Sequence, residues 1–387
     1  MTTETIKGFK DFTGEEAEKR SEVRKILVET FEKYGFSPAE TPVIESEELV
    51  RGENKEDEAV SDVYTLKDKG NRKLALRYEF TFQLKRLAKN KKLPFKRYQI
   101  GEVFRDEPTT SGKERFRQFT QCDVDVVGSS VKDEAEILAL VKEVFDKLGI
   151  KFEIYFNNRK LLNEILDQYG IEDKTKPYVL REIDKLDKLA ESEVRNNLKT
   201  MKAENVLKAL NVKESSFKIF KSYEEILELK KYAKMFGVNI KFLPTLARGL
   251  SYYNGSVFEL KVKGVNESIG AGGSYEVNGI QSTGISFGLD RLASLAKVKP
   301  VNEKILIISI EQNKKAISIA QKLRKQGKSV EIFYNKVSKA LDYANSKGIS
   351  KVIFVGRDEV KKGKFKIRDM KSGREKLKKE KELLKSV

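Results

Sequence analysis

The stretch from Lys96 to Gly128, KRYQIGEVFRDEPTTSGKERFRQFTQCDVDVVG, constrains this chain more than any other. It reads as two strands joined by a polar loop. The first strand, Arg97 to Phe104, is rich in aromatic and β-branched residues. The loop, Arg105 to Lys113, carries Pro108, Ser111 and Gly112. The second strand, Phe116 to Val127, alternates with a period of two. Phe116, Gln118, Thr120, Cys122, Val124 and Val126 share one face, and Arg115, Arg117, Phe119, Gln121, Asp123 and Asp125 share the other. A hairpin that only covers a core needs no row of two arginines, a ring, an amide and two carboxylates. Such a row suits a polyphosphate, a flat ring and a small polar ligand laid side by side. The alternative is a solvated charged face, and the interleaved Phe119 and Gln121 weigh against it.

The 387-residue length predicts two or three domains. A net charge of +18, with 35% charged residues, points to a polyanionic partner. The competing explanation is a lysine-rich background common to all proteins of the source. The single cysteine, Cys122, excludes an internal disulfide framework and a multi-cysteine metal site. On the core-facing row it reads as a small buried hydrophobe. The chain has no histidine. A Ser-His-Asp triad and a His-ligated zinc are therefore excluded, and any general base is a carboxylate, a lysine, a tyrosine or the substrate. No apolar run approaches the roughly 20 residues that span a bilayer. The N-terminal MTTETIKGFKDF has no apolar targeting core. A cytoplasmic protein without a membrane partner is expected.

Along the chain, Glu15 to Tyr34 reads as an amphipathic helix with Val23, Ile26, Leu27, Thr30 and Phe31 on one stripe. FSPAETPVIESEELV follows as an extended segment around Pro38 and Pro42. Asp62 to Tyr64 and Lys73 to Arg77 suggest a hairpin leading into LALRYEFT. Asp133 to Leu148 is a second amphipathic helix, with Ile137, Leu140, Val141, Val144 and Phe145 inward, and KFEIYFNN is a short strand. Residues 159 to about 239 are mostly helical and lysine-rich. KVKPVNE, Lys297 to Glu303, reads as a linker. Beyond it, strands KILIISI, SVEIFY and KVIFVG alternate with helices Lys314 to Gln326 and Lys336 to Lys347, which predicts a small parallel or mixed sheet. KKEKELLKSV reads as a basic helix or frayed tail.

Several of these segments resemble the class II aminoacyl-tRNA synthetases, and the histidyl-tRNA synthetase family in particular. The hairpin resembles motif 2 in its histidyl form, R-x-F-x-Q-x-x-x-acid, here Arg117, Phe119, Gln121 and Asp125. The first helix, Gly35 and the proline-bearing segment resemble motif 1, which builds a dimer interface. STGISFGLDRLASL resembles motif 3. LALRYEFT resembles L-R-P-E-G-T, with Tyr78 for proline and Phe80 for glycine. LARGLSYYNGSVFEL resembles the signature L-V-R-G-L-D-Y-Y-x-G-x-V-F-E, with Ser251 for aspartate. SIGAGGSYEVNG resembles A-G-G-R-Y-D-G, with Ser274 for arginine and Glu276 for aspartate. The C-terminal βα units resemble the anticodon-binding domain of the histidyl, glycyl, threonyl and prolyl enzymes.

The resemblance implies an α/β chain. An α+β catalytic domain, with the class II antiparallel sheet flanked by helices, would occupy residues 1–300, with a helical insertion at about 159–239. An anticodon-binding α/β domain would occupy 303–387. It implies ATP-dependent activation of histidine to histidyl-adenylate, then transfer to the 3′ end of tRNA(His). Catalysis would rest on Arg105, Arg248 and Arg291. Glu79 and Thr81 would hold the histidine α-amino group, and Gln121, Asp125, Tyr252, Tyr253 and Tyr275 would shape the rest of the amino-acid pocket. Arg105, Glu107, Arg115, Phe119 and Arg291 would bind ATP, with Mg²⁺ on the phosphates and no metal held by the protein alone. Gly272 and Gly273 would let backbone lie against the ligand. A homodimer is implied by motif 1. Two rivals share the fold: a catalytically inactive tRNA-binding sensor or regulatory subunit of histidine biosynthesis, and a polymerase accessory subunit. Retention of Arg105, Gln121, Arg248 and Arg291 speaks against both.

Overall fold

A computed structural model of the chain describes residues 3–52, 62–108, 116–248, 252–298, 304–334 and 336–386. It divides into two compact units, Met1–Phe12 with Val23–Val298, and Thr13–Glu22 with Lys299–Val387. The first unit holds β1 (Ser37–Pro38), β2 (Ile44–Ser46), β3 (Thr65–Lys67), β4 (Lys73–Leu76), β5 (Phe95–Phe104) and β6 (Gln118–Val127). It continues with β7 (Glu153–Asn158), β8 (Ile240–Phe242), β9 (Tyr253–Lys261), β10 (Gly270–Val277) and β11 (Ile280–Gly288). The second holds β12 (Lys304–Ser309), β13 (Ser329–Phe333), β14 (Lys351–Val355), β15 (Lys364–Asp369) and β16 (Glu375–Lys379).

One sheet, ordered β1-β5-β6-β11-β10-β9-β7-β8, dominates the first unit. Every pairing from β5 to β7 is antiparallel, and only the edge strands β1 and β8 pair in parallel. This helix-flanked, largely antiparallel sheet is the fold class the sequence implies. The period-two pattern of β6 explains its place at the centre. Cys122, Val124 and Val126 are fully buried on one face, in the main apolar core. Helix Val131–Leu148 contributes Ile137, Leu140, Val141, Val144 and Phe145 to that core, and helix Gly14–Lys33 contributes Val23, Leu27 and Phe31. Each large apolar side chain so buried stabilises the fold by about 1.5–3 kcal/mol. Ser130 and Asp133 form a capping box that starts helix Val131–Leu148, and left-handed Gly149 ends it.

Five α-helices lie between β7 and β8: Arg159–Gln168, Lys176–Asp184, Glu191–Thr200, Val206–Leu210 and Tyr223–Met235. The last packs against helix Val131–Leu148. A three-stranded sheet, β2-β4-β3, stands apart from the large one. Glu47–Arg51 is helical where the sequence suggests extended chain. Ser46 explains the difference, since its hydroxyl accepts from Leu49 N at 3.3 Å and caps a helical turn.

In the second unit the sheet order is β13-β12-β14-β15-β16, parallel across the first three and antiparallel beyond. Helices Asn313–Lys325 and Glu380–Ser386 cover one face, and helix Val337–Ser346 the other. The β15–β16 hairpin is absent from the sequence reading, because its lysines mask the single buried anchor, Phe365. Among the described residues no helix is long and apolar enough to cross a membrane.

Candidate active site

The face of β6 opposite the apolar core carries Gln121, Asp123 and Asp125, and all three are buried. Burial of charge is costly unless partners are supplied. Asp125 has two. Arg97 stands directly across from it on β5, fully buried, with a guanidinium nitrogen 2.8 Å from the carboxylate. The same nitrogen donates to the Phe80 carbonyl at 2.9 Å. Tyr275 on β10 donates its hydroxyl to Asp125 Oδ1. To do so it reaches across β11, where the residue opposite Asp125 is Gly284. A Cβ on Gly284 would collide with Asp125 Oδ1, so this position must lack a side chain.

Burial raises the Asp125 carboxyl, with Arg97 and the Tyr275 hydroxyl acting against it. Asp123 is pushed up to about 7, by burial first and by the Asp125 charge second. Gln121 Nε2 donates to both Asp123 oxygens, at 2.9 and 3.0 Å. Glu79, in the loop after β4, is also pushed up to about 7 by burial, with Asp123 and Asp125 adding and Arg105 and the Thr81 hydroxyl opposing. Three buried carboxyl groups therefore share one site, and they outnumber the two guanidiniums, Arg97 and Arg105, that face them.

The tyrosines form a wall beside them. Tyr252 and Tyr253 lie with ring centroids 4.7 Å apart, and Tyr252 meets Tyr275 edge-on at 5.7 Å. Burial raises the hydroxyl pKa of all three. Arg105, just past β5, lays its guanidinium over Tyr78 at 4.2 Å and over Phe119 at 5.1 Å. Its Nη2 donates to Gln121 Oε1 at 3.5 Å, and Glu107 lies 4.0 Å away. Arg248 donates to Glu259 Oε1 at 3.3 Å from a backbone at φ +57°. Burial pulls its pKa down, but the charges of Tyr253, Asp184 and Glu259 outweigh this and raise it. Arg291, on helix Leu289–Leu295, pairs with Glu267 at 2.9 Å and donates to the Ser268 carbonyl at 2.7 Å. Ser268 in turn donates to Glu259 at 2.8 Å, which links Arg291 to Arg248.

The structure thus groups Glu79, Thr81, Arg105, Gln121, Asp125 and Tyr252, Tyr253 and Tyr275, with Phe119 and Glu107 beside Arg105. Arg248 adjoins the tyrosines, and Arg291 reaches the group through Ser268 and Glu259. Arg115 lies outside the described residues. Gly272 and Gly273 serve the sheet itself. A Cβ on Gly272 would lie 2.7 Å from Ile285 Cα, and one on Gly273 would lie 2.9 Å from the Tyr253 ring. Sequence reasoning passed over Arg97 as a site residue and left Asp123 without a role. The available signal for Asp123 was its place in the same row as Gln121 and Asp125.

A family model described as histidyl-tRNA synthetase matches residues 8–292, and one described as an anticodon binding domain matches 297–387. The chain belongs to the histidyl-tRNA synthetase family. It is 35% identical to Histidine–tRNA ligase 1 of Bacillus cereus, with 97% of each chain covered. It is 36% identical to Histidine–tRNA ligase 2 of Shouchella clausii, over 96% of this chain and 97% of that one. The fold matches the crystal structure of histidyl-tRNA synthetase from Nostoc sp. PCC 7120 with a TM-score of 0.85 at 25% identity, covering 100% of this chain and 98% of that one. Members of this family are similar over the full length of the chain, the C-terminal unit included.

Proposed function

We propose that the chain is an active histidine–tRNA ligase, which joins histidine to ATP and passes it to the 3′ end of tRNA(His). The observation that carries this reading is the excess of buried carboxyl groups, Glu79, Asp123 and Asp125, beside three tyrosines. A ligand bringing a positive charge and several N–H donors satisfies such a site, and histidine offers an ammonium and an imidazole. In this reading Glu79 and Thr81 take the α-ammonium. Tyr275 and Asp125, held by Arg97, meet the imidazole side, and Gln121 spans to the phosphate side. The histidine carboxylate attacks the α-phosphorus, an acyl–phosphate bond forms, and pyrophosphate leaves. This step needs alignment and charge stabilisation more than proton transfer. Arg105 and Arg248 stabilise the charge on the α-phosphate. Phe119 and Glu107 meet adenine, and Arg115 and Arg291 take the outer phosphates. Arginines suit this task because their charge is permanent and their donors are planar. In this reading Mg²⁺ enters with the ATP phosphates as part of the substrate.

The second unit would take the anticodon arm, and its lysines would meet phosphates, giving salt-dependent tRNA affinity. Two copies would pair through the motif 1 elements, where Val43 and Ile44 are exposed. Sedimentation at twice the chain mass tests that pairing. The reading as a whole is tested by histidine-dependent exchange of pyrophosphate with ATP. Exchange is expected with histidine and not with proline, threonine or glycine. Silence with every amino acid, from a folded protein that still binds tRNA(His), would overturn the enzyme in favour of the sensor. Arg248→Ala is expected to slow exchange by about 10²-fold or more, the usual effect of removing one preorganised donor.

A further inference from the structure

Arg248 holds a left-handed backbone, φ +57°, a region that side-chain-bearing residues rarely occupy. The segment leading to it has little regular structure of its own, so something else must fix it. Two side chains do so, one at the end of β7 and one at the start of the helix that follows it. Asn157 is fully buried, and its Nδ2 donates to the Pro244 carbonyl at 2.8 Å and to the Leu246 carbonyl at 3.0 Å. Arg159, the first residue of helix Arg159–Gln168, is 7% exposed. Its Nη1 donates to the Ala247 carbonyl at 3.0 Å and reaches the Arg248 carbonyl at 3.4 Å. Between them Asn158 fixes their spacing, because its side chain accepts from Lys160 N at 2.8 Å and caps the helix. The chemistry matches the task. Carbonyl oxygens need donors; one amide supplies two, and a guanidinium supplies charge-assisted ones that never deprotonate.

We infer that Asn157 and Arg159 are positioning residues, a clamp on segment 244–248 that presets the Arg248 guanidinium for the activation step. This rests on the reading of Arg248 as a charge stabiliser. A clamp of this kind acts on the transition state more than on substrate affinity, because a loosened arginine loses its preorganisation first.

The test uses the full-length chain with Arg159→Met, Arg159→Lys and Asn157→Leu. Arg159→Met and Asn157→Leu are expected to lower kcat of histidine-dependent exchange about tenfold or more, with KM for histidine changed by less than about twofold. Arg159→Lys, which keeps a cationic donor, is expected to recover most of the rate. Arg159→Met combined with Arg248→Ala should be no slower than Arg248→Ala alone. Losses that multiply, equal loss in the Lys and Met variants, or a rise in KM with kcat intact would each overturn the clamp while leaving the enzyme reading in place. If Arg248→Ala itself leaves exchange unchanged, the role of Arg248 falls and the clamp falls with it. A second readout needs no catalysis. Amide hydrogen exchange over residues 243–248 should quicken in Arg159→Met and Asn157→Leu while 254–260 in β9 keeps its protection. Unchanged exchange at 243–248 overturns the proposal whether or not the enzyme is active.

Discussion

Two buried acid sites lie on opposite faces of one strand. Tyr275 and Ser274 are neighbours in β10, and their side chains point in opposite directions. Tyr275 donates to Asp125 in the candidate site, and Ser274 donates to Glu134 on helix Val131–Leu148 behind the sheet. Burial is the leading cause of the raised pKa on both sides, and Glu134, like Asp123, stands at about 7. The partners differ. The front carboxyls face Arg97 and Arg105, whereas Glu134 faces the hydroxyls of Ser274 and Ser256, with Lys160 a weaker influence. Hydroxyl partners favour the ionised form only weakly, so burial prevails and the carboxyl keeps its proton. Guanidinium partners pull toward the ionised form against burial and mutual repulsion, and leave the front carboxyls poised for a cationic ligand. Equal burial therefore has two meanings, and the neighbouring groups decide which applies. Burial keeps the rear carboxyl protonated, and Ser274, standing where the family signature has arginine, opposes it only through a hydroxyl.

Removing a cation from the front should give the largest effect. Arg97→Met leaves Asp125 buried without its ion pair, a change expected to cost about 3–5 kcal/mol of stability. Urea unfolding of the variant measures it. Adding Asp125→Asn should restore much of the loss, because the orphaned charge goes with it. A loss below about 1 kcal/mol would mean the pair does not hold the front site together.

The rear site should reveal itself through pH. Glu134 is raised from its ordinary 4.5 to about 7, so the folded state binds its proton more tightly than the unfolded chain does. The stability this contributes is fully present below about 4.5 and is lost as pH rises through about 7. The shift corresponds to about 3 kcal/mol. Glu134→Gln, neutral at every pH, should match the parent near pH 4.5 and exceed it by up to about 3 kcal/mol at pH 8. Parallel stability curves for the two proteins between pH 5 and 8 would sink the idea.

Proton release on binding should separate the sites in the other direction. A cationic ligand favours ionised Glu79 and Asp123, so histidine binding should release protons at pH 6–7 and tighten as pH rises toward about 7. Titration calorimetry in buffers of different ionisation enthalpy counts the protons. Asp123→Asn should release fewer than the parent, and the difference cancels the proton of the ligand's own imidazole. Glu134→Gln should release as many as the parent.

Much of this was legible in the residues. The period-two row of β6 placed Gln121, Asp123 and Asp125 together, and the helical stripe from Ile137 to Phe145 faced the core as read. Arg97 was not legible, because its role depends on register. It pairs with Asp125 only if Phe104 stands opposite Gln118, and the sequence left the end of the loop uncertain by two residues. Glu134 was hidden by a similar limit. On a helix a carboxylate next to Asp133 reads as solvated, and only the sheet packed above it shows the burial. The clamp residues Asn157 and Arg159 needed the tertiary return of the chain at 244–248, eighty-odd residues later, which no local pattern encodes.

The smallest effects should discriminate best, since they change one hydroxyl on each side. Tyr275→Phe removes the donor to Asp125, and Ser274→Ala removes the donor to Glu134. Each is expected to cost about 0.5–1.5 kcal/mol of stability, the net scale of one hydrogen bond. Their effects on ligand should part. Without Tyr275 the Asp125 carboxyl is held by Arg97 alone, free to turn away from the pocket, so histidine KM should rise several-fold. Ser274 meets no ligand, and its loss only leaves a carboxyl that is already protonated. Its pKa should climb further, since a hydroxyl that favoured the ionised form is gone. Ser274→Ala should therefore leave histidine KM at the parent value and shift the pH dependence of stability upward. If both variants raise KM alike, the two faces of β10 are mechanically coupled, and the division between a ligand-facing and a sealed acid site fails.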